Sequence, residues 1–111
     1  MMNSSAKILL VEDDSAIVMT LRRVLVDEGY EVMVENTGTS GLARAQAETF
    51  DLVVTDLKLP GLNGLDLVRQ LHLARPRLPI LMMTAHGTTE TAIEATQSGA
   101  YDYLLKPFEI P

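Results

Sequence analysis

Residues 51–64 constrain the fold of this chain more than any other stretch: Asp51-Leu52-Val53-Val54-Thr55-Asp56-Leu57-Lys58-Leu59-Pro60-Gly61-Leu62-Asn63-Gly64. Leu52, Val53 and Val54 make an apolar run long enough for a strand and too short for a helix. A run without alternation suits a strand buried on both faces, as in a parallel sheet. It ends at Asp56, and Pro60-Gly61 followed by Asn63-Gly64 marks a turn. Asp56 is therefore expected at the carboxyl end of a central strand, the edge where open α/β sheets bind ligands. Taken alone, an aspartate there more often just ends a strand or caps the next element. The rest of the chain changes that balance.

Read in order, the chain alternates strand and helix. Residues 8–11 (Ile-Leu-Leu-Val) are a buried strand that stops at Glu12-Asp13-Asp14. Ser15 opens a helix in which Ile17, Leu21, Val24 and Leu25 recur at helical spacing, and Gly29 closes it. Residues 30–35 alternate as a strand nearer an edge would, and Asn36-Thr37-Gly38 is a loop. From Thr39, the residues Leu42, Ala43, Ala45, Ala47 and Phe50 predict a second amphipathic helix. Asn63 is placed to cap a third, with Leu65, Leu67, Val68 and Leu71 facing inward, and that helix gives way near Arg75-Pro76. Residues 79–83 form a fourth strand ending at Thr84-Ala85, residues 88–98 a Thr-rich helix stopped by Gly99, and residues 101–105 a fifth strand ending at Lys106-Pro107-Phe108. Short connections and right-handed crossovers then demand a parallel sheet with helices on both faces.

Composition excludes several classes. With 111 residues the chain is one domain with a single modest core, and 47% hydrophobic against 22% charged residues argues against disorder. A net charge of -6 without a Lys/Arg cluster leaves no footprint for direct nucleic-acid contact by this segment. The absence of cysteine excludes disulfides and thiolate metal sites. No apolar run approaches the ~18–20 residues of a membrane span, and the amino end lacks a signal-type segment. A soluble cytoplasmic domain is the expectation.

Four strand ends carry polar residues of distinct type: Glu12-Asp13-Asp14, Asp56, Thr84 and Lys106. In a doubly wound sheet these ends lie side by side. Converging carboxylates repel one another and need a compensating cation, here a divalent metal or Lys106. Hard oxygen ligands without nearby His or Cys suit Mg²⁺. A metal-bound carboxylate flanked by a hydroxyl and an ammonium can hold, or attack, a phosphoryl group.

With these residues in place, the chain resembles the receiver domain of two-component response regulators, the domain also found as the free-standing chemotaxis receiver. The matching residues are Glu12-Asp13, then Asp56 with Pro60-Gly61 and Gly64 behind it, then Thr84-Ala85. Gly99-Ala100-Tyr101-Asp102-Tyr103 leading to Lys106-Pro107-Phe108 completes a match that spans residues 7–108. The wording around Thr84 to Ile93 is most similar to receivers of nitrogen-regulation type transcriptional activators.

The resemblance implies a flavodoxin-like, doubly wound sheet of five parallel strands in the order 2-1-3-4-5. It implies a phosphorylatable switch and not an enzyme: Asp56 accepts a phosphoryl group from the phosphohistidine of a sensor histidine kinase in a Mg²⁺-dependent reaction. Asp13 would bind Mg²⁺ directly, Glu12 through water, and the backbone carbonyl of Lys58 would complete the protein's share. Thr84 and Lys106 would contact phosphoryl oxygens, and the Lys106-Pro107 bond would be cis. The change would be relayed through Thr84 and Tyr103, while Lys58 and His86 would modulate the lifetime of the phosphoryl group. Asp14 reads as a helix cap, His72 and Met82-Met83 as structural, and Arg22-Arg23 as a solvated helix face.

The chain departs from the family pattern in one respect. Receivers end in a fifth helix after the Lys-Pro-Phe segment, and this sequence stops at Pro111. The expectation is a single receiver domain, residues 1–111, truncated before its last helix, with an uncovered sheet face that favours self-association as a homodimer. A longer parent chain would carry the output region, by the same likeness an ATPase with a DNA-binding domain. The alternative is a Mg²⁺-dependent phosphohydrolase using an aspartyl-phosphate, which needs a second aspartate close after Asp56, where Lys58 stands. A flavodoxin-type flavin module is disfavoured because Glu12-Asp13-Asp14 would repel a phosphate, and a receiver that never accepts phosphate is disfavoured because all the expected side chains are present.

Overall fold

The computed structural model describes residues 6–84, 94, 97, 99, 100 and 102–105, with Thr84 and residues 102–105 described by their backbone. The elements run β1 (Lys7–Val11), α1 (Ser15–Asp27), β2 (Glu31–Glu35), α2 (Gly38–Ala47), β3 (Leu52–Asp56), α3 (Gly64–Ala74), β4 (Ile80–Thr84) and β5 (Asp102–Leu105). Glu94 and Gln97 are helical, and the remainder of the helix expected over residues 88–98 falls outside the described residues. The strands make one parallel sheet in the order β2-β1-β3-β4-β5. The chain steps outward from β1 to β2, then returns to the other side of β1 with β3. That reversal opens a crevice above the carboxyl ends of β1 and β3.

Strand alternation divides the core in two. Leu9, Val11 and Val53 face one side, packed with Ala45 of α2 and with Leu67, Val68 and Leu71 of α3. Ile8, Leu10, Val54 and Met83 face the other, covered by Val18, Leu21 and Leu25 of α1. Burying each of the three α3 side chains contributes about 1.5–3 kcal/mol. No residue of α1 is fully buried, so the α3 side anchors the fold more firmly. Met82 and Met83 are core residues and Arg22 and Arg23 are exposed, as read.

The boundaries follow local hydrogen bonding. Asp14 caps α1 by accepting from the amides of Ala16 (2.9 Å) and Ile17 (3.3 Å). At the other end Gly29 has φ 95°, its amide donating to Val26 O (2.9 Å) and that of Tyr30 to Leu25 O (3.1 Å). Because the Tyr30 N–H serves the helix, β2 begins at Glu31 and not at Tyr30. The second helix also differs from expectation. Thr37 caps it by accepting from Ser40 N (3.0 Å), so it starts at Gly38, and it ends at Ala47. Ala43 and Ala47 are exposed, and Phe50 is buried from the following loop instead of the helix. The expected truncation before a last helix concerns the carboxyl end of the chain, which lies outside the described residues.

Candidate functional site

Register brings the acidic residues together. Val11 pairs with Thr55 across β1 and β3, so the next residues, Glu12 just past β1 and Asp56 at the end of β3, stand side by side. Glu12 is fully buried, Asp56 is 8% exposed, and Asp13 is exposed beside them. Oxygen atoms of the three carboxylates lie within 4.8 Å of one another. At such a separation two ionised carboxylates repel by roughly 3–4 kcal/mol for an effective dielectric constant of about 20. A cation relieves that repulsion directly.

The backbone holds the carboxylates of Glu12 and Asp56 in place. Glu12 Oε2 accepts from the amides of Asp13 (3.0 Å) and Asp14 (3.2 Å). Asp56 Oδ1 accepts from the Leu57 amide (2.8 Å), which also reaches Met83 O of β4 (3.0 Å). Thr55, buried beneath, donates from Oγ1 to the Asp56 carbonyl (3.1 Å). Two glycines shape the loop that follows. The Gly64 amide donates to Leu57 O (2.8 Å) and the Gly38 amide to Pro60 O (3.1 Å). A Cβ on Gly64 would overlap the Asp56 carbonyl oxygen, and one on Gly38 the Leu62 carbonyl oxygen. Only glycine permits both approaches. Lys58 is exposed in this loop, immediately after the acidic cluster.

Of the residues singled out from sequence, Glu12, Asp13 and Asp56 are brought together. Asp14 is turned away as the cap of α1. Thr84 ends β4 beside Leu105 of β5, so the two strands end at one level. The Thr84 and Tyr103 side chains, together with His86, Lys106 and the Lys106-Pro107 bond, fall outside the described residues. His72 is exposed on α3, and its ring occupies the space where a Cβ of Gly99 would stand, which fits a structural role.

Sequence reasoning missed Asn36, read simply as loop. Its Nδ2 donates to the Glu12 carbonyl (3.2 Å). No local signal marks it, because the contact joins residues 24 positions apart. It also missed the opposite pole of the sheet. There Lys7 Nζ bonds Glu48 Oε1 (2.7 Å) and lies 5.1 Å from the centre of the Phe50 ring. Arg44 joins the same Glu48 and reaches Glu35 (3.0 Å). The Lys7 hydrogen bond, ahead of the charges of Arg44 and Lys7, holds the Glu48 carboxyl below its ordinary range against a smaller effect of burial.

The donor set fits a hard divalent cation. It is all carboxylate oxygen, and its spread is close to the ~4 Å that separates opposite ligands of Mg²⁺. Among the described residues no helix is long and apolar enough to cross a membrane.

Comparison with known proteins agrees with this geometry. The family model for the response regulator receiver domain matches residues 8–111. The alginate biosynthesis transcriptional regulatory protein AlgB of Pseudomonas putida is 42% identical over 105 residues, 95% of this chain and 23% of the relative. The DNA-binding transcriptional regulator NtrC of Salmonella typhimurium is 40% identical over 91% of this chain and 22% of its own length. The chain thus spans less than a quarter of either relative. A response regulator from Burkholderia pseudomallei, crystallised with a phosphorylated aspartic acid, calcium ion and citrate, superposes with a TM-score of 0.87 at 32% identity, covering 95% of this chain and 62% of that one. With its parallel α/β sheet, its carboxylate cluster at the β1/β3 crevice and a family match over nearly all its length, the chain belongs to the response regulator receiver domains, the phosphorylatable switches of two-component systems.

Proposed function

We propose that Asp56 is the phosphoacceptor of this receiver and that Glu12, Asp13, Asp56 and the backbone carbonyl of Lys58 hold Mg²⁺. The observation that carries the reading is the meeting of three carboxylates at the switch point of the sheet, one of them on the central strand. A carboxylate oxygen of Asp56 attacks the phosphorus of a sensor kinase phosphohistidine. A P–O bond forms as the P–N bond breaks, and the imidazole leaves with the electron pair. Mg²⁺ supplies charge neutralisation for the phosphoryl oxygens and the crowded carboxylates. Thr84 and Lys106 contact those oxygens, Thr84 and Tyr103 relay the change, and Lys58 and His86 tune its lifetime. The relatives' names, a transcriptional regulatory protein and a DNA-binding transcriptional regulator, support an output that acts on transcription in a longer parent protein. Beyond those names, the proposal takes this to be a cytoplasmic receiver that forms homodimers ahead of an ATPase and a DNA-binding domain. The phosphohydrolase alternative is not favoured, since Lys58 stands where it would need its acid/base.

Intact mass measurement with Mg²⁺ and acetyl phosphate tests the reading. One added phosphoryl group on the wild type, absent from Asp56→Asn and after EDTA, is the expected result. Labelling that persists in Asp56→Asn would reassign the acceptor, and steady donor turnover without an adduct would favour hydrolysis.

A further inference from the structure

We infer that Asn36 is a positioning residue for the metal-binding acidic loop, an inference that rests on the site reading above. Backbone pairing between β1 and β2 reaches its last rung where the Glu12 amide donates to Glu35 O (3.0 Å). Beyond it the chain turns away to Asp13 and Asp14. Asn36, the next residue of the β2 side, adds one more rung from its side chain, Nδ2 donating to the Glu12 carbonyl at 3.2 Å.

The consequence comes from peptide geometry. The Glu12 C=O and the Asp13 N–H belong to one planar trans unit and point in opposite directions. Asn36 holds the carbonyl end. The amide end is therefore aimed the other way, where it donates to Glu12 Oε2 at 3.0 Å. One peptide plane is pinned at both edges, and the pin fixes the Asp13 backbone and the buried Glu12 carboxylate together. Both belong to the carboxylate cluster. The anchor is itself held, because Arg44 of α2 bonds the carboxylate of neighbouring Glu35 (3.0 Å). Asn36 is exposed and contributes no core packing. Outer-shell groups of this kind change metal affinity by about tenfold or more when removed.

The test compares wild type, Asn36→Ala and Asn36→Gln, the last retaining an amide donor on a longer arm. Amide hydrogen exchange is followed without metal, and Mg²⁺ affinity is measured by calorimetric titration. Asn36→Ala is expected to speed exchange at the Asp13 amide, leave the amides of Leu9 and Val53 unchanged, and weaken Mg²⁺ binding roughly tenfold. Asn36→Gln is expected to recover part of both. If Asn36→Ala matches the wild type in Mg²⁺ affinity, the inference is overturned and the site reading stands. If the wild type takes up no Mg²⁺ at all, the site reading falls and the inference with it.

Discussion

Asp14 donates its amide to the buried carboxylate of Glu12 while its own carboxylate faces the other way, onto the first turn of α1. Three consecutive acids thus do three different things. Glu12 is buried in the cluster, Asp13 stands at its open side, and Asp14 is a helix cap.

Asp14→Ala is therefore expected to cost about 1 kcal/mol of stability, the usual loss for an N-cap, with Mg²⁺ affinity nearly unchanged. Asp13→Asn should do the reverse. Urea denaturation and Mg²⁺ titration of the two variants separate the roles, and equal loss of metal binding in both would contradict the assignment.

Metal binding to the folded state alone raises stability by mass action. With Mg²⁺ at about a hundredfold its dissociation constant, the gain should approach ~2.7 kcal/mol and vanish on adding EDTA. Asp13→Asn should show little gain at the same concentration. A denaturation midpoint insensitive to Mg²⁺ would argue against a site at this cluster.

Gly64→Ala forces a Cβ into the Asp56 carbonyl oxygen. Overpacking against backbone that cannot retreat should cost about 1–3 kcal/mol. It should also slow phosphoryl uptake, because the displaced group is the peptide of the proposed acceptor. Intact-mass time courses beside denaturation curves would show whether the two effects travel together.

The Glu48 carboxyl is held below its ordinary value of 4.5, chiefly by the Lys7 hydrogen bond. A lowered carboxyl pKa means that the unfolded chain takes up the proton first. The contribution is thus fully present above about pH 4.5 and is lost as pH falls through the lower folded value. Glu48→Gln should flatten this part of the acid limb in urea midpoints measured from pH 6 to pH 3. At pH 7 the variant should be modestly less stable, as expected for a partly exposed pair.

The strand ends were legible because buried parallel strands are written as short, unalternating apolar runs, and 8–11, 52–54 and 80–83 all have that form. Asp56 could be placed from its run and turn alone. Helix faces were harder to read where the residues are small. Ala43, Ala45 and Ala47 look alike in sequence, yet only Ala45 is buried. Phe50 stands three positions after Ala47, a helical interval, but the chain has already left α2 and reaches the core from a loop. Asn36 illustrates a different limit: its partner is the carbonyl of Glu12, and every residue has a carbonyl.

The placement of β1 between β2 and β3 also sets the order in which this site can come into being. A nascent chain that has emerged only as far as Asn36, just past β2, carries Glu12, Asp13 and Asn36 but no Asp56. The cluster closes only when β3 docks, joining residues 44 apart (56 minus 12). Metal capture at this cluster would therefore report completed assembly and not local folding. Two fragments divided in the loop between α2 and β3 should each be blind to Mg²⁺ and acquire the response only on recombining.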